Sequence, residues 1–128
     1  MNLLKSKLLL TLVVIVALMA GLLTMMPKPI ARNLEAIGQG QKAVVFVYDP
    51  NLLASNQQAT AINQARAAGA DDVLFLAART GDPAGEAFKQ RYQAESLDLL
   101  FFDAQGTLVD RDEALLSADE LLARLAAL

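Results

Sequence analysis

The side chains that could do chemistry in this sequence are carboxylates, hydroxyls and amides, because the chain has no cysteine and no histidine. Thiol redox chemistry, Cys/His zinc sites and Ser-His-Asp catalysis are therefore excluded. Asp110, Asp112 and Glu113 lie close enough in sequence to bind a hard cation, but this stretch lacks the glycine and the alternating oxygen ligands of a calcium loop. We interpret it as a solvated acidic turn, and the sequence predicts no catalytic residue, no metal site and no cofactor.

Charge is divided unevenly along the 128 residues. Residues 1–32 carry a net charge of +4, whereas residues 33–128 hold all fourteen acids and carry a net charge of −7. An acidic domain is repelled by nucleic-acid phosphates, so we expect no nucleic-acid partner. The same excess of acid suits a basic protein partner.

An uncharged apolar stretch, residues 8–26, precedes the acidic part. As a helix it would be about 28 Å long, close to the hydrocarbon thickness of a bilayer. It is either a retained membrane span or a cleaved signal peptide. We favour the anchor, because a signal peptide's apolar core runs about 7–15 residues and cleavage after Ala20 would leave the apolar stub Gly21–Met26. The predicted division is an anchor over residues 1–26, a linker over 27–41 and a folded domain over 42–128.

Flanking charges give the predicted anchor an orientation in the lipid bilayer. Lys5, Lys7 and the α-amino group precede the apolar stretch, and Lys28 and Arg32 follow it. This bias of one positive charge favours a cytoplasmic N-terminus and an external domain. In a bacterium the chain would then be a single-pass inner-membrane protein with its domain in the periplasm.

Three small residues within the anchor are candidates for contact with another membrane helix. Small side chains allow two helices to approach closely, and the residues concerned are Ala17, Ala20 and Gly21. The alternative interpretation is ordinary apolar sequence that faces lipid.

The acidic part alternates apolar runs with helical patterns in the order β-α-β-α-β-β-α, which indicates an α/β fold. Near-continuous apolar runs are typical of strands buried on both faces. Asp82-Pro83 predicts a helix start, Ser117 to Glu120 a capping box, and Gly106 a tight turn. The predicted strands are Lys42–Tyr48, Asp72–Ala78, Leu97–Phe102 and Thr107–Asp110, and the predicted helices are Leu52–Ala68, Pro83 to about Ala94, and the segment that follows Ser117.

This order resembles the core of the thioredoxin fold over residues 42–128. VVFVYDPN stands where thioredoxin-like proteins have their first strand and active-site loop. LDLLFFDAQGTLVDR resembles the hairpin of membrane-anchored members, and SADELLARLAAL resembles the family's closing helix. The resemblance implies a thioredoxin-like domain preceded by one transmembrane helix.

The departures from the family pattern concern the residues that carry its chemistry. The family's Cys-x-x-Cys would fall within Asp49–Ser55, which reads DPNLLAS, and its cis-proline within residues 95–98, which read ESLD. The resemblance therefore implies a redox-inactive domain that keeps the family's groove for a peptide or a partner subunit. The groove residues carried over are Asp49, Pro50, Asn51, Leu52, Ser96 and Leu97. The alternative interpretation of Asp49-Pro50-Asn51 is a simple helix start, since these residue types suit any N-cap.

The stretch DAQGTLVD, from Asp103 to Asp110, also resembles the nucleophile motif of haloacid-dehalogenase phosphatases. The motif's general acid would stand at the position of Gln105, and the 25 residues that follow Asp103 are too few for the rest of that fold. We interpret the stretch as a glycine turn in a hairpin.

Three functions are compatible with these observations. The first is a non-catalytic, membrane-anchored, thioredoxin-like accessory or assembly subunit of a membrane protein complex. The second is a secreted peptide-binding or chaperone-like domain released by signal cleavage. The third, a carboxylate-dependent hydrolase around Asp103 and Asp110, would need an activity that disappears in Asp103→Asn.

Overall fold

The computed structural model describes residues 2–25, 30–69, 72–113 and 115–128. One long helix and a domain of four strands and three helices account for most of them. The elements are α1 (Asn2–Met25), a short 3-10 helix (Leu34–Ala36), β1 (Lys42–Tyr48), α2 (Leu53–Ala67), β2 (Val73–Arg79), α3 (Pro83–Tyr92), β3 (Asp98–Phe102), β4 (Leu108–Glu113) and α4 (Ala118–Ala126). This is the predicted β-α-β-α-β-β-α order.

The four strands form one mixed sheet in the order β2-β1-β3-β4. β1 and β2 are parallel, as the helical crossover between them requires, while β3 is antiparallel to β1 and forms a hairpin with β4. The two central strands are buried on both faces, which explains their near-continuous apolar sequences.

The sheet separates two apolar cores. One core lies beneath α2 and α4, where Ile62 and Leu121 pack on Phe46. The other lies beneath α3, where Phe88 packs on Phe102 with ring centroids 6.1 Å apart. Phe88 also contacts Tyr92, four residues further along α3, with ring centroids 4.7 Å apart.

Several predicted element ends are wrong by a few residues, and local geometry explains them. α3 ends at Tyr92 because Gln93 takes a left-handed conformation, with φ of 50°. β4 continues to Glu113, which pairs with Asp98 of β3, so the interpretation of Asp110, Asp112 and Glu113 as an acidic turn is wrong. Leu97, predicted within β3, instead has φ of 78° and lies in the loop before that strand.

The segment of residues 30–41, called the strap here, packs against the domain and is not a free linker. Ala31 forms a parallel β-bridge with Leu76, and its carbonyl accepts a hydrogen bond from the Ala77 N–H at 2.8 Å. Gly38 lies so close to the β3–β4 turn that a Cβ there would be 3.1 Å from the Gln105 carbonyl oxygen. Residues 27–29 of the predicted linker lie outside the described residues.

α1 is long and apolar enough to cross a bilayer. Within Asn2–Thr24, an 18-residue window has a mean hydropathy of 2.4, and none of that window is buried against the rest of the chain. Signal sequences meet the same criterion, so α1 is either an anchor or a leader. Met26, the last residue of the predicted anchor, lies outside the described residues.

Candidate functional site

Two loops meet at one edge of the sheet and form the candidate site. β1 ends at Tyr48, and β3 begins at Asp98. Because these neighbouring strands are antiparallel, the loop that leaves β1 and the loop that enters β3 lie side by side. This is the juxtaposition that the sequence predicted for the groove.

The first loop is organised around Asp49. Its carboxylate Oδ1 accepts the Asn51 N–H at 2.9 Å, which closes a tight turn. Its own N–H donates to the Oγ of Ser55, a residue with no exposed surface, at 2.9 Å. These bonds hold the loop against the first turn of α2.

The interpretation of Asp49-Pro50-Asn51 as the helix cap is wrong. The N-cap residue of α2 is Leu52, whose apolar side chain accepts no hydrogen bond. The Asp49 carboxylate is occupied within its own loop, so it does not cap the helix. Pro50 and Asn51 are exposed beside it.

The second loop carries an unusual backbone at Leu97. A φ of 78° is rare for leucine, and the residue is held there by its N–H, which donates to the Val47 carbonyl at 2.9 Å. Its side chain packs on the core beneath α2. Leu97 therefore contributes backbone to the site, whereas its side chain belongs to the core.

A side-chain contact joins the two loops. The Ser96 hydroxyl donates to the Asp49 carboxylate Oδ2 at 3.3 Å, across 47 residues of sequence. Each of the two oxygens of that carboxylate thus has a different donor, one from each loop. The two loops that were expected to line the groove are therefore in contact, and that this edge binds a partner stays a prediction.

Two leucines beside this contact present apolar surface to solvent. Leu52 is 38% exposed and Leu53 is 73% exposed. Sequence reasoning included Leu52 in the groove but missed Leu53. The adjacent pair was a clue, because neighbouring positions at a helix start point in different directions and cannot both face the core.

The side chains at this site offer surface for contact with another molecule. Serine nucleophiles are activated by an adjacent base such as imidazole or an amine, and the chain has no histidine to supply one to Ser96. Among the described residues no group of three acids is arranged to hold a metal ion. The exposed leucines, a carboxylate and a hydroxyl can instead contact a protein segment.

The carboxylates of the phosphatase-like stretch have structural partners. Asp103 Oδ1 accepts the N–H groups of Gln105 and Thr107, at 3.0 and 2.9 Å, and so shapes the β3–β4 turn. Asp110 pairs with Arg124 at 2.7 Å, which ties β4 to α4. The interpretation of this stretch as a hairpin turn is confirmed.

The three small residues of the anchor lie on the described part of α1. Ala17 and Gly21 are one turn apart and share a face, and Ala20 lies beside them. All three are exposed. Contact with a second membrane helix stays a prediction.

No protein-family model matches the sequence, and no curated protein matches it. Solved structures do match. Thioredoxin-2, a component of the malaria parasite protein secretion machinery, is 15% identical with a TM-score of 0.62 over 68% of this chain and 82% of that one. A thioredoxin-like protein from Clostridium perfringens is 13% identical with a TM-score of 0.66, covering 76% and 78%.

The exposed lipoprotein thioredoxin of Streptococcus pneumoniae is 17% identical with a TM-score of 0.62, over 71% of this chain and 87% of that one. At such identities the likeness concerns the fold alone. Because the chain contains no cysteine, the dithiol–disulfide exchange of a thioredoxin is chemically excluded. The chain therefore has a thioredoxin-like fold, in a form without the thiols on which thioredoxin redox chemistry depends.

Proposed function

We propose that this protein binds a partner protein through the edge formed by the loops around Asp49 and Ser96, and that α1 anchors it in a membrane as an accessory subunit of a protein complex. The observation that carries the proposal is the contact between those loops beside the exposed Leu52 and Leu53. Hydrogen bonds fix the conformation of these loops, although the chain has no thiol that the loops could position for redox chemistry.

The partner contact is expected to centre on the two leucines. Exposed apolar side chains beside a rigid polar rim are typical of the centres of protein interfaces, where a few residues supply most of the binding free energy. The net charge of −7 over residues 33–128 favours a partner segment that combines apolar residues with basic ones.

The test is purification of the full-length protein in gentle detergent, with mass spectrometry of the intact chain and of its stoichiometric partners. Leu53→Asp is expected to lower partner recovery at least about tenfold, as loss of a hot-spot residue does. The matched control is Val109→Asp, which places the same charge on β4 at a residue that is 49% exposed. Equal recovery from both variants would contradict the proposed surface.

The second candidate is a secreted peptide-binding domain released from its leader. It is favoured by the N-terminal position of α1, since a signal sequence there meets the same criterion of length and hydropathy as a membrane span, and by the position of the sheet, strap and remaining helices after residue 29. The same intact mass decides between the two. A chain that retains Met1 supports the anchored subunit, and a chain cut near residue 20 or 26 supports the secreted domain.

A further inference from the structure

A crevice of about 350 Å³ lies on the α2 side of the sheet, next to the loop around Asp49, because Tyr48 contributes to its wall. It opens where the strap crosses the edge of β2. Its walls come from four elements: the strap (Ile30, Arg32), α2 (Ala59, Asn63), the end of β1 (Tyr48) and β2 (Ala77, Arg79).

The crevice is positively charged within an acidic domain. Two of its lining residues are arginines and none is acidic. The side chain of Arg79, at the end of β2, forms no hydrogen bond or ion pair with any residue that the structure describes. On the α2 wall, the Asn63 Oδ1 accepts a hydrogen bond from the Arg66 Nη1 at 3.1 Å.

Arg32 is paired at the surface and can turn to a bound anion at little cost. Its Nη1 lies 3.0 Å from the Asp82 Oδ2, with the two side chains 56% and 40% exposed. An ion pair at that exposure contributes little to stability, because water screens it. A ligand anion inside the crevice, beside the apolar Ile30 and Ala77, is screened less.

The class of anion is inferred from the position of the crevice in the chain, close to the end of α1. Ile30 follows the end of α1 by five residues, so the two Cα atoms of Met25 and Ile30 are at most about 18 Å apart. If α1 spans a bilayer, the strap therefore begins beside its headgroup region. The planar guanidinium group of arginine can donate two parallel hydrogen bonds to two oxygens of one phosphate.

We propose that the crevice between the strap and α2 binds the phosphate of an anionic phospholipid headgroup, through Arg32 and Arg79. This proposal depends on the membrane anchoring proposed above, and its two arginines are not residues of the partner-binding edge. The bound headgroup holds the domain against the membrane surface by the same segment that connects it to α1.

The test uses the full-length protein in neutral detergent, with phosphatidylglycerol or phosphatidylcholine added, and native mass spectrometry of the bound lipid. The wild-type chain is expected to retain phosphatidylglycerol in preference to phosphatidylcholine. Arg79→Gln and Arg32→Gln are each expected to weaken phosphatidylglycerol binding about tenfold, which corresponds to one charge-assisted hydrogen-bond pair.

The matched control is Arg91→Gln, which removes the same charge from α3 on the other side of the sheet, where the guanidinium lies 5.3 Å from the Tyr92 ring centroid. The control is expected to bind lipid as the wild type does. Equal retention of the two lipids would overturn the proposal, as would equal losses in all three variants. Retention that inorganic phosphate abolishes at millimolar concentration would identify a site for free phosphate and overturn the lipid assignment.

Failure of this proposal and failure of the proposed function give different results. An intact mass that lacks the N-terminal segment contradicts the anchor on which both depend. An intact chain that shows no lipid preference, but loses its partner in Leu53→Asp, contradicts the lipid site alone. Tyrosine fluorescence of each variant confirms folding, since both tyrosines, Tyr48 and Tyr92, lie in the domain.

Discussion

α2 and α4 lie on the same side of the sheet and pack on one core, yet they begin in opposite ways. α4 begins at Ser117, whose Oγ accepts the Glu120 N–H at 3.2 Å, and its first turn carries Asp119 and Glu120. α2 begins at Leu52, with no side-chain hydrogen bond at its N-cap and no acid in its first turn. The start of α4 follows the rules for a stable helix, and the start of α2 does not.

The inner faces of the two helices differ in the same sense. α4 buries leucines, whereas α2 buries Ser55 and Gln58 as well as apolar residues. Each polar residue holds a loop: Ser55 accepts the Asp49 N–H, and Gln58 bonds both the N–H and the carbonyl of Leu116, at 2.8 and 3.0 Å. α4 closes the core, while α2 positions the loops around it, including the candidate site.

The largest effect is expected from Leu121→Ala, which tests the role of α4 in the core. Leu121 has no exposed surface, and removing its buried methyl groups leaves a cavity under the helix. We expect the free energy of unfolding to fall by about 2–5 kcal/mol. Urea titration of the full-length protein in detergent, followed by tyrosine fluorescence, measures it, because both tyrosines and no tryptophan report on the domain.

A matched change on the same helix sharpens this result. Ala123 lies two residues further along α4 and is exposed, so Ala123→Gly removes a methyl group without opening a cavity. It is expected to cost about 1 kcal/mol through helix propensity. Equal losses in the two variants would show that α4 does not close the core.

The next largest effect is expected from Gln58→Leu, which tests the role of α2 in holding a loop. A leucine side chain is similar in size to that of Gln58, so the space stays filled. The buried N–H and carbonyl of Leu116, however, lose their hydrogen-bond partner. We expect a loss of about 1–3 kcal/mol in the free energy of unfolding. Faster hydrogen exchange at residues 115–117, with the exchange of β1 unchanged, would place the loss in that loop.

Gln57→Leu is the corresponding control. It stands one residue earlier on the exposed face of α2, and no described residue bonds its side chain. A stability change within about 0.5 kcal/mol is expected there. A loss as large as that of Gln58→Leu would mean that the buried amide is not what positions the loop.

The two helices also differ in how well their sequences predicted them. SADE gave the cap of α4 correctly, because a capping box is a local arrangement of neighbouring residues. The start of α2 was misread, because Asp49 bonds within its own loop and leaves the N-cap position to Leu52. A local pattern cannot show which of two local partners an aspartate takes.

Some contacts between distant parts of the chain were likewise predicted from the sequence, and others were not. The bounds of β1 were predicted, since a buried strand is continuously apolar, and the meeting of Asp49 with Ser96 followed from the family resemblance. The packing of the strap was not predicted, because a single β-bridge between Ala31 and Leu76 has no sequence pattern. The left-handed Leu97 was also not predictable, since a tertiary bond to Val47 enforces it.

A smaller effect is expected from Ser117→Ala, which removes the cap of α4. The Glu120 N–H then loses its acceptor, and we expect the free energy of unfolding to fall by about 1 kcal/mol. The same urea titration measures the change. Ser117→Asn restores a capping side chain and is expected to recover most of the loss, whereas no recovery would assign the effect to something other than capping.

The smallest effect on stability is expected from Leu53→Asp at the start of α2. This variant tests whether the exposed leucine contributes to partner binding or to the stability of the fold. Leu53 is 73% exposed, so little burial is lost. An acid in the first turn, such as α4 already has, interacts favourably with the helix dipole by about 0.3–1 kcal/mol. The variant is therefore expected to unfold at the same or slightly higher urea concentration. If it also loses the partner, α2 keeps an unfavourable leucine for binding. If it loses stability instead, Leu53 serves the fold, and the contrast between the two helix starts carries no functional meaning.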